Sequence, residues 1–327
     1  MWEENMQLSR DDLREAYTTM KRIRVFEERM RTEFQKGEMP GFVHLYCGQE
    51  AIATGVCMHL NDTDNIGSTH RGHGHCIAKG CDVKDMALEI YCREDGLCKG
   101  KGGSMHIADL SKGMLGANAI VGGSPPLAVG AALAAKTLKN KAVAVAFIGD
   151  GASNQGTVFE AMNLAVVLKL PVIFIYENNG YAEFTGIDYH CGAIDITTRS
   201  SGFGMPAVKV DGTDFFAVHD VMREAVERAR SGDGPTSIEC EALRWYGHYE
   251  GDPQAYRSKT EVKEIKANKD PLEIFKQKVL EKELIENVEF EEINSLIEKE
   301  VDDAIKLALN SPVPPLSSLE ENVYESY

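Results

Sequence analysis

The stretch from Ala142 to Tyr181 constrains the fold more than any other. Ala142-Val-Ala-Val-Ala-Phe-Ile148 is short, apolar and partly β-branched, and it stops at Gly149-Asp150-Gly151. A strand covered by helices on both faces reads this way, because neither side of its pleat meets water. Thr157 to Leu168 then places Val158, Ala161, Met162, Ala165 and Leu168 at helical spacing. Pro171 restarts the chain, and Val172-Ile-Phe-Ile-Tyr176 is a second buried strand, ended by Glu177-Asn178-Asn179-Gly180-Tyr181. Strand, helix and parallel strand predict an α/β fold with a doubly wound, mostly parallel sheet and helices on both faces.

Two parallel strands joined by a helix finish at the same edge of the sheet, so Asp150 and Asn179 are expected side by side. That carboxyl edge is where open α/β sheets hold ligands. A carboxylate, a side-chain amide and a backbone carbonyl are hard oxygen ligands suited to Mg²⁺, which keeps few protein ligands and adds phosphate oxygens. Gly149 and Gly151 leave room for a diphosphate, and the following helix points its N-terminus toward it. An Asp that merely caps a helix is the competing reading, but it does not account for Asn178-Asn179 at the second strand end, about 26 residues on.

At 327 residues and 43% hydrophobic, the chain can bury one large core or two modest ones. A formal charge of −16 argues against nucleic acid and anionic membranes as partners. The sequence has no apolar run of membrane-spanning length, Met1-Trp-Glu-Glu-Asn-Met carries no signal-peptide pattern, and the eight cysteines form no Cys-x-x-Cys pair. Reduced thiols and a cytoplasmic location are therefore expected.

Ser9 with Asp12 resembles a capping box, and Leu13, Tyr17, Met20, Ile23, Phe26, Met30 and Phe34 follow at intervals of three or four, predicting an amphipathic helix ended at Gly37. Gly41 to Glu50 is a glycine-punctuated turn opening a helix from Ala51 to Leu60. Ser68-Thr-His70-Arg71-Gly72-His73-Gly74-His75 interleaves imidazoles and a guanidinium with glycine, a composition suited to an anion. Zinc is the competing idea for these histidines and the nearby cysteines, but their spacing matches no structural zinc pattern. Gly100, Gly102 and Gly103 read as a loop close to ligand or partner. Ser124-Pro-Pro126 reads as a cap and first turn opening an Ala-rich helix. Its small residues suit a subunit interface or a buried internal helix.

Gly-Asp-Gly followed at this distance by Asn-Asn resembles the thiamine diphosphate motif. Gly41 to Glu50, His70-Arg71-Gly72-His73, Gly100-Lys-Gly-Gly-Ser-Met-His106 and Leu115-Gly-Ala-Asn-Ala-Ile-Val-Gly-Gly123 are similar to the α subunits of thiamine-diphosphate-dependent 2-oxo acid and acetoin dehydrogenases. The resemblance spans essentially Leu13 to Arg257. It implies a thiamine diphosphate-binding fold and a single domain over 1–327, with helical additions at 1–40 and 260–327. It implies that Asp150, Asn179 and the carbonyl of Tyr181 hold Mg²⁺. It places the cofactor against His44, His70, Arg71, Ala119, Val121, Gly149, Asp150, Gly151, Ala152, Asn179, Tyr181 and His248. His248 and His73 are the catalytic candidates, His248 for proton transfer. The resemblance further implies an E1 β subunit in an α₂β₂ assembly, since the Glu that activates the cofactor lies on that chain, and a lipoyl-bearing E2 acyltransferase as acyl acceptor. The substrate is a small acyloin or 2-oxo acid.

A further strand–helix–strand unit is expected after Gly204, with Ala207 to Val210, a helix capped by Thr213 or Asp214, and Thr236 to Ala242. The loop Arg244 to Arg257 leaves the last strand end, where substrate chemistry is carried. Its His248-Tyr249-Glu250-Gly251-Asp252 resembles the acetoin enzymes. If Glu250 and Asp252 face the pocket, they disfavour an anionic substrate by on the order of 1 to 4 kcal/mol. Arg257, Lys101 and Lys112 are the candidate neutralisers. Two charged helices follow, the second carrying Phe290, Ile293, Ile297, Val301, Ile305 and Leu309 on one stripe, and then a proline-rich acidic arm.

Overall fold

The computed structural model describes residues 8–324. The opening stretch Met1–Met6, read above as lacking a leader, and the last three residues of the acidic arm lie outside the described residues. Among those described, eight strands form: β1 Asn65–Gly67, β2 Met114–Gly116, β3 Ala144–Gly149, β4 Val172–Asn178, β5 Tyr181–Ala182, β6 Thr185–Gly186, β7 Ala207–Asp211 and β8 Thr236–Glu241. Six of them build one sheet in the order β2-β1-β3-β4-β8-β7, and each neighbouring pair is parallel. Strands β5 and β6 pair as a small antiparallel hairpin beyond the end of β4. The direction of winding reverses between β1 and β3, so the carboxyl ends of these two strands make the switch point at which such sheets bind ligands.

The sheet separates two cores, and β3 and β4 show how. Val143, Val145, Phe147, Ile173 and Ile175 point into the larger one, with the helices Arg10–Gln35, Glu50–Cys57 and Phe215–Ser231. Ala144, Ala146, Ile148, Val172, Phe174 and Tyr176 point into the smaller one, against the helices Ser124–Leu138 and Gly156–Val167. This period-2 alternation between two apolar layers is why the strands read as continuous hydrophobic runs. Each large aliphatic or aromatic side chain so buried contributes about 1.5–3 kcal/mol. The register sets Gly149 beside Glu177, so the turns that leave β3 and β4 are adjacent.

The helices at the two ends of the chain complete the larger core. Arg10–Gln35 starts on the reciprocal Ser9–Asp12 capping box and buries Leu13, Tyr17, Met20, Ile23, Phe26 and Met30. It lies along Asn287–Asn310, whose buried stripe is Phe290, Ile293, Ile297, Val301, Ala304, Ile305 and Ala308. Leu309, expected on that stripe, is exposed. Asp214, rather than Thr213, caps the helix Phe215–Ser231 by accepting the Phe216 N–H. Ser124 is not a cap either: Gly123 holds that position, and the Ser124 hydroxyl donates to the Phe147 carbonyl in β3 at 3.0 Å. The helix Glu50–Cys57 stops earlier than the predicted Leu60. All eight cysteines are free thiols. Among the described residues, no helix is long and apolar enough to cross a membrane.

The Ala-rich helix Ser124–Leu138 turns Ala128, Val129, Ala132 and Ala135 inward. Leu127, Leu133 and Leu138 are 52%, 41% and 72% exposed, and Leu164, Val167 and Leu168 are exposed at the end of Gly156–Val167. Leu168, expected on the buried face, is therefore part of an open apolar surface formed by adjacent helices.

Far from the switch point, His59 and His219 lie ring to ring at 4.1 Å. His59 Nε2–H donates to the His219 carbonyl at 2.9 Å. Burial first, and the His219 ring second, push His59 down to about 4, while the nearby Asp220 opposes the shift. In the unfolded chain it returns to an ordinary histidine near 6.5. Between those values the unfolded state binds the extra proton, so stability falls as pH drops from about 6.5 toward 4, by on the order of 2–3 kcal/mol. His59→Gln is expected to flatten this part of the Tm–pH profile. Calorimetric scans across the interval check it, and an unchanged slope contradicts the assignment.

Candidate active site

A cavity of about 380 Å³ opens at the switch point, lined by the turns after β1, β2, β3 and β4, by Arg244 and His248 from the loop after β8, and by His44 and Met105. Its wall includes His44, His70, Arg71, Ala119, Val121, Gly149, Asp150, Gly151, Ala152, Asn179, Tyr181 and His248. The predicted cofactor-contacting residues are thus gathered in one place. His73 is not among the lining residues. It is fully buried, with Nδ1 on Glu27 Oε2 and Nε2 on Ser104 Oγ, both at 2.9 Å, and an edge-on contact with Phe26. With both ring nitrogens engaged inside the core, His73 ties together the helix Arg10–Gln35 and the glycine loop and does not line the cavity. The sequence pattern suggested chemistry for it because its neighbours two and three positions earlier do face the cavity.

The oxygen-bearing side chains sit where the strand ends place them. Asp150 is buried, and desolvation raises its carboxyl above the ordinary range, opposed mainly by His190. Asn179 Nδ2 donates to Gln49 Oε1 at 3.3 Å, which fixes the amide and leaves Asn179 Oδ1 buried with no hydrogen-bond partner. An orphaned buried acceptor costs about 1–3 kcal/mol and calls for a donor or a cation. Beside a buried carboxylate, it fits a hard divalent ion. The two glycines differ: a Cβ on Gly149 would meet only open space, whereas on Gly151 it would strike Ala182 Cβ at 2.6 Å. Gly149 leaves the cavity floor clear, and Gly151 lets the β5 turn approach.

The opposite wall is cationic. Arg71 donates to the carbonyls of Leu45 at 2.6 Å and His248 at 2.9 Å. Arg244 donates to His248 Nδ1 at 3.0 Å and to the Glu183 carbonyl at 3.0 Å. Burial, and then the charge of Arg244, push Arg71 down to about 9. Arg244 is lowered by burial as well. The Arg71 guanidinium donates to carbonyls, not to a carboxylate, so an anion in the cavity would relieve the cost of burying two guanidiniums. A diphosphate matches that deficit in charge and in fork geometry.

His44, His70 and His248 converge above it, with ring centroids 4.6 to 5.1 Å apart. Their ligand atoms all lie within 4.8 Å of one another. Burial and Arg71 hold all three below the ordinary imidazole range, His248 at about 3, so they are neutral at pH 7. Because Arg244 donates to His248 Nδ1, the proton of that ring is on Nε2. The histidines that come together are not the set that sequence spacing offered for zinc. His75, part of that set, is buried between Ser68 Oγ at 2.7 Å and Glu177 Oε1 at 2.9 Å and stacks on Phe147.

The family model described as the dehydrogenase E1 component matches residues 18–317. The chain belongs to the dehydrogenase E1 component family. Membership implies dependence on thiamine diphosphate, and the arginine pair, the buried oxygen atoms of Asp150 and Asn179 and the open space at Gly149 fit that group. This E1 chain is 51% identical over 320 residues to the α subunit of acetoin:2,6-dichlorophenolindophenol oxidoreductase from Cupriavidus necator, covering 98% of this chain and 96% of that one. It is 50% identical to the protein of the same name from Bacillus subtilis, with 99% and 97% covered. Its identity to the pyruvate dehydrogenase E1 α subunit of Rhizobium meliloti is 38%, over 97% and 91%.

Two site residues of this E1 chain escaped the sequence reading. Arg244 was noted only as the start of a loop, yet it fixes the His248 tautomer. Glu177, next to last in β4, lines the cavity and accepts hydrogen bonds from Tyr46 and His75. The charge argument for substrate choice fails. Glu250 faces away from the cavity, paired with Arg31 at 3.3 Å and Gln35 at 2.8 Å. Asp252 accepts from His248 N–H, Gln254 N–H and Tyr256 O–H, so it shapes the loop. The expected neutralisers are elsewhere: Lys101 binds the Ser318 and Glu321 carbonyls, Lys112 binds Asp62, and Arg257 binds the Arg244 and Tyr246 carbonyls.

Proposed function

We propose that this chain is the α subunit of an acetoin dehydrogenase E1 enzyme, cleaving acetoin to acetaldehyde and an acetyl unit that passes to a lipoyl group on an E2 acyltransferase. The observation that carries the reading is identity of half or more, over nearly the whole of both chains, to two α subunits named for acetoin, against 38% for a pyruvate enzyme. The chain is read as one thiamine diphosphate-binding domain working in the cytoplasm in an α₂β₂ assembly.

In this reading Asp150, Asn179 Oδ1 and the Tyr181 carbonyl hold Mg²⁺, and Arg71, Arg244, His44 and His70 face the diphosphate. Backbone groups of Ala119 to Val121 receive the aminopyrimidine, on a turn braced by the Ile120 N–H donating to Asn118 Oδ1 at 2.9 Å. When bound, the thiazolium ring supplies the acceptor for the electron pair left by C–C cleavage. The protein binds, orients and moves protons. His248 presents Nε2–H to the cavity, held by Arg244 on one side and by Asp252 at its backbone. It is placed to donate to a substrate oxygen and to take the proton back.

The test is kcat/KM for acetoin and for pyruvate with the α–β enzyme and an artificial electron acceptor. Acetoin is expected to be preferred by at least about tenfold, a difference of about 1.4 kcal/mol between transition states. A tenfold preference for pyruvate would make this chain a pyruvate dehydrogenase E1 α subunit instead. Because Glu250 and Asp252 do not face the cavity, Glu250→Gln is expected to leave the ratio unchanged.

A further inference from the structure

Behind Asp150 lies a set of residues that the chemistry above does not use. The segment between β6 and β7 carries a short helix, Ile187–His190, and a second, Ile196–Gly202. Arg199, on the second, spreads its fork over the turn that follows Asp150. One amino group donates to Asn154 Oδ1 at 2.8 Å and the Ser153 carbonyl at 3.2 Å, the other to Ser153 Oγ at 2.9 Å and Cys191 Sγ at 2.7 Å. The guanidinium has only donors, so it selects the oxygen of the Asn154 amide. The amide nitrogen must then face the other way. It donates to the His190 carbonyl at 3.2 Å and to His190 Nδ1 at 3.0 Å. A ring nitrogen that accepts is the bare one, so the proton of His190 is on Nε2, which lies 3.3 Å from Asp150 Oδ2.

We propose that His190 is a positioning residue for Asp150, its tautomer fixed through Arg199 and Asn154 so that Nε2–H holds one carboxylate oxygen and leaves the other to a divalent cation. The proposal rests on the reading of Asp150 as a metal ligand. Its physical content is orientation. A lone carboxylate on a glycine-flanked turn can rotate about its side-chain bonds, and an outer hydrogen bond removes that freedom before the metal arrives. Outer partners of this kind are worth about 10–100-fold in metal affinity. The relay joins residues that are distant in sequence, and it spans the turn after β3 and the loop after β6. It also explains why a guanidinium is spent on a polar turn rather than on a carboxylate.

The experiment uses the assembled α–β enzyme, Mn²⁺ as the spectroscopic substitute for Mg²⁺, and thiamine diphosphate at a fixed concentration. Mn²⁺ affinity is measured by calorimetry, and the symmetry of the bound ion by its electron paramagnetic resonance spectrum. His190→Phe is expected to weaken Mn²⁺ binding about 10–100-fold and to alter the spectrum of the ion that still binds. His190→Gln, whose amide can donate to Asp150, should stay within about threefold of the parent. Asn154→Leu keeps the imidazole but frees its tautomer, and is expected to lose a smaller factor, about 3- to 10-fold. It also serves if His190→Phe does not assemble. Affinity and spectrum unchanged in both His190→Phe and Asn154→Leu, while Asp150→Ala loses the ion, overturn the role of His190 and leave the metal site standing. Undiminished binding in Asp150→Ala overturns the metal reading, and the proposal with it.

Discussion

Asp150→Ala is expected to abolish cofactor binding by the α–β enzyme, with Mg²⁺-dependent affinity for thiamine diphosphate falling by more than about 100-fold. That exceeds the range for an outer hydrogen-bonding partner, because a directly coordinating charged oxygen is removed from a site with few protein ligands. Asn179 Oδ1 and a backbone carbonyl are neutral and cannot replace the lost charge. The fold should survive. Asp150 is raised by desolvation in the free protein, so alanine removes a buried carboxyl that burial disfavours in its charged form. Isothermal calorimetry gives the affinity and a thermal scan without cofactor gives the stability. Cofactor affinity equal to the parent's would remove Asp150 from the metal site. A variant that fails to fold would show the carboxylate to be structural.

On its own, the chain is expected to turn over neither acetoin nor pyruvate, with activity appearing only when a β subunit is added. The cavity supplies cations, neutral imidazoles and hard oxygen groups that suit the diphosphate end of the cofactor. Of the carboxylates lining it, Asp150 is engaged by His190, Glu177 accepts hydrogen bonds from Tyr46 and His75, and Glu183 lies on the exposed turn after β5. In the proposed assembly the acid that activates the cofactor comes from the β subunit, as the family resemblance implies. The apolar side chains Leu127, Leu133, Leu138, Leu164, Val167 and Leu168 provide a surface on which another subunit can bury area. Steady-state turnover by the purified single chain, free of any other polypeptide, would refute the need for a β subunit. If added β subunit does not suppress the binding of a hydrophobic dye, this face is not part of the interface.

The division between what the sequence decided and what the fold decided follows physical range. Local signals were sufficient where they were dense. The continuous apolar runs of β3 and β4, the small residues at the turn and the oxygen-bearing side chains at both strand ends fixed one edge of the sheet. The register then placed those turns side by side with no further information. On one side the flanking strands β8 and β7 were legible, but on the other they were not. β1 and β2 have three residues each, too few for any period to show, and they exist because Asn65–Gly67 pairs with β3 already in place. The roles of single histidines were equally beyond sequence. His70 faces the cavity, while His73, on the first turn of a helix, faces Glu27 and His75 faces Glu177, and their spacing gives no warning of it. Glu250 looked like a pocket acid until a helix more than two hundred residues earlier supplied Arg31. Residue types and strand ends determined which chemistry the chain can support. Which side chains carry it was decided only when distant segments met, because burial, tautomer and pairing are properties of a neighbourhood that the order of residues does not list.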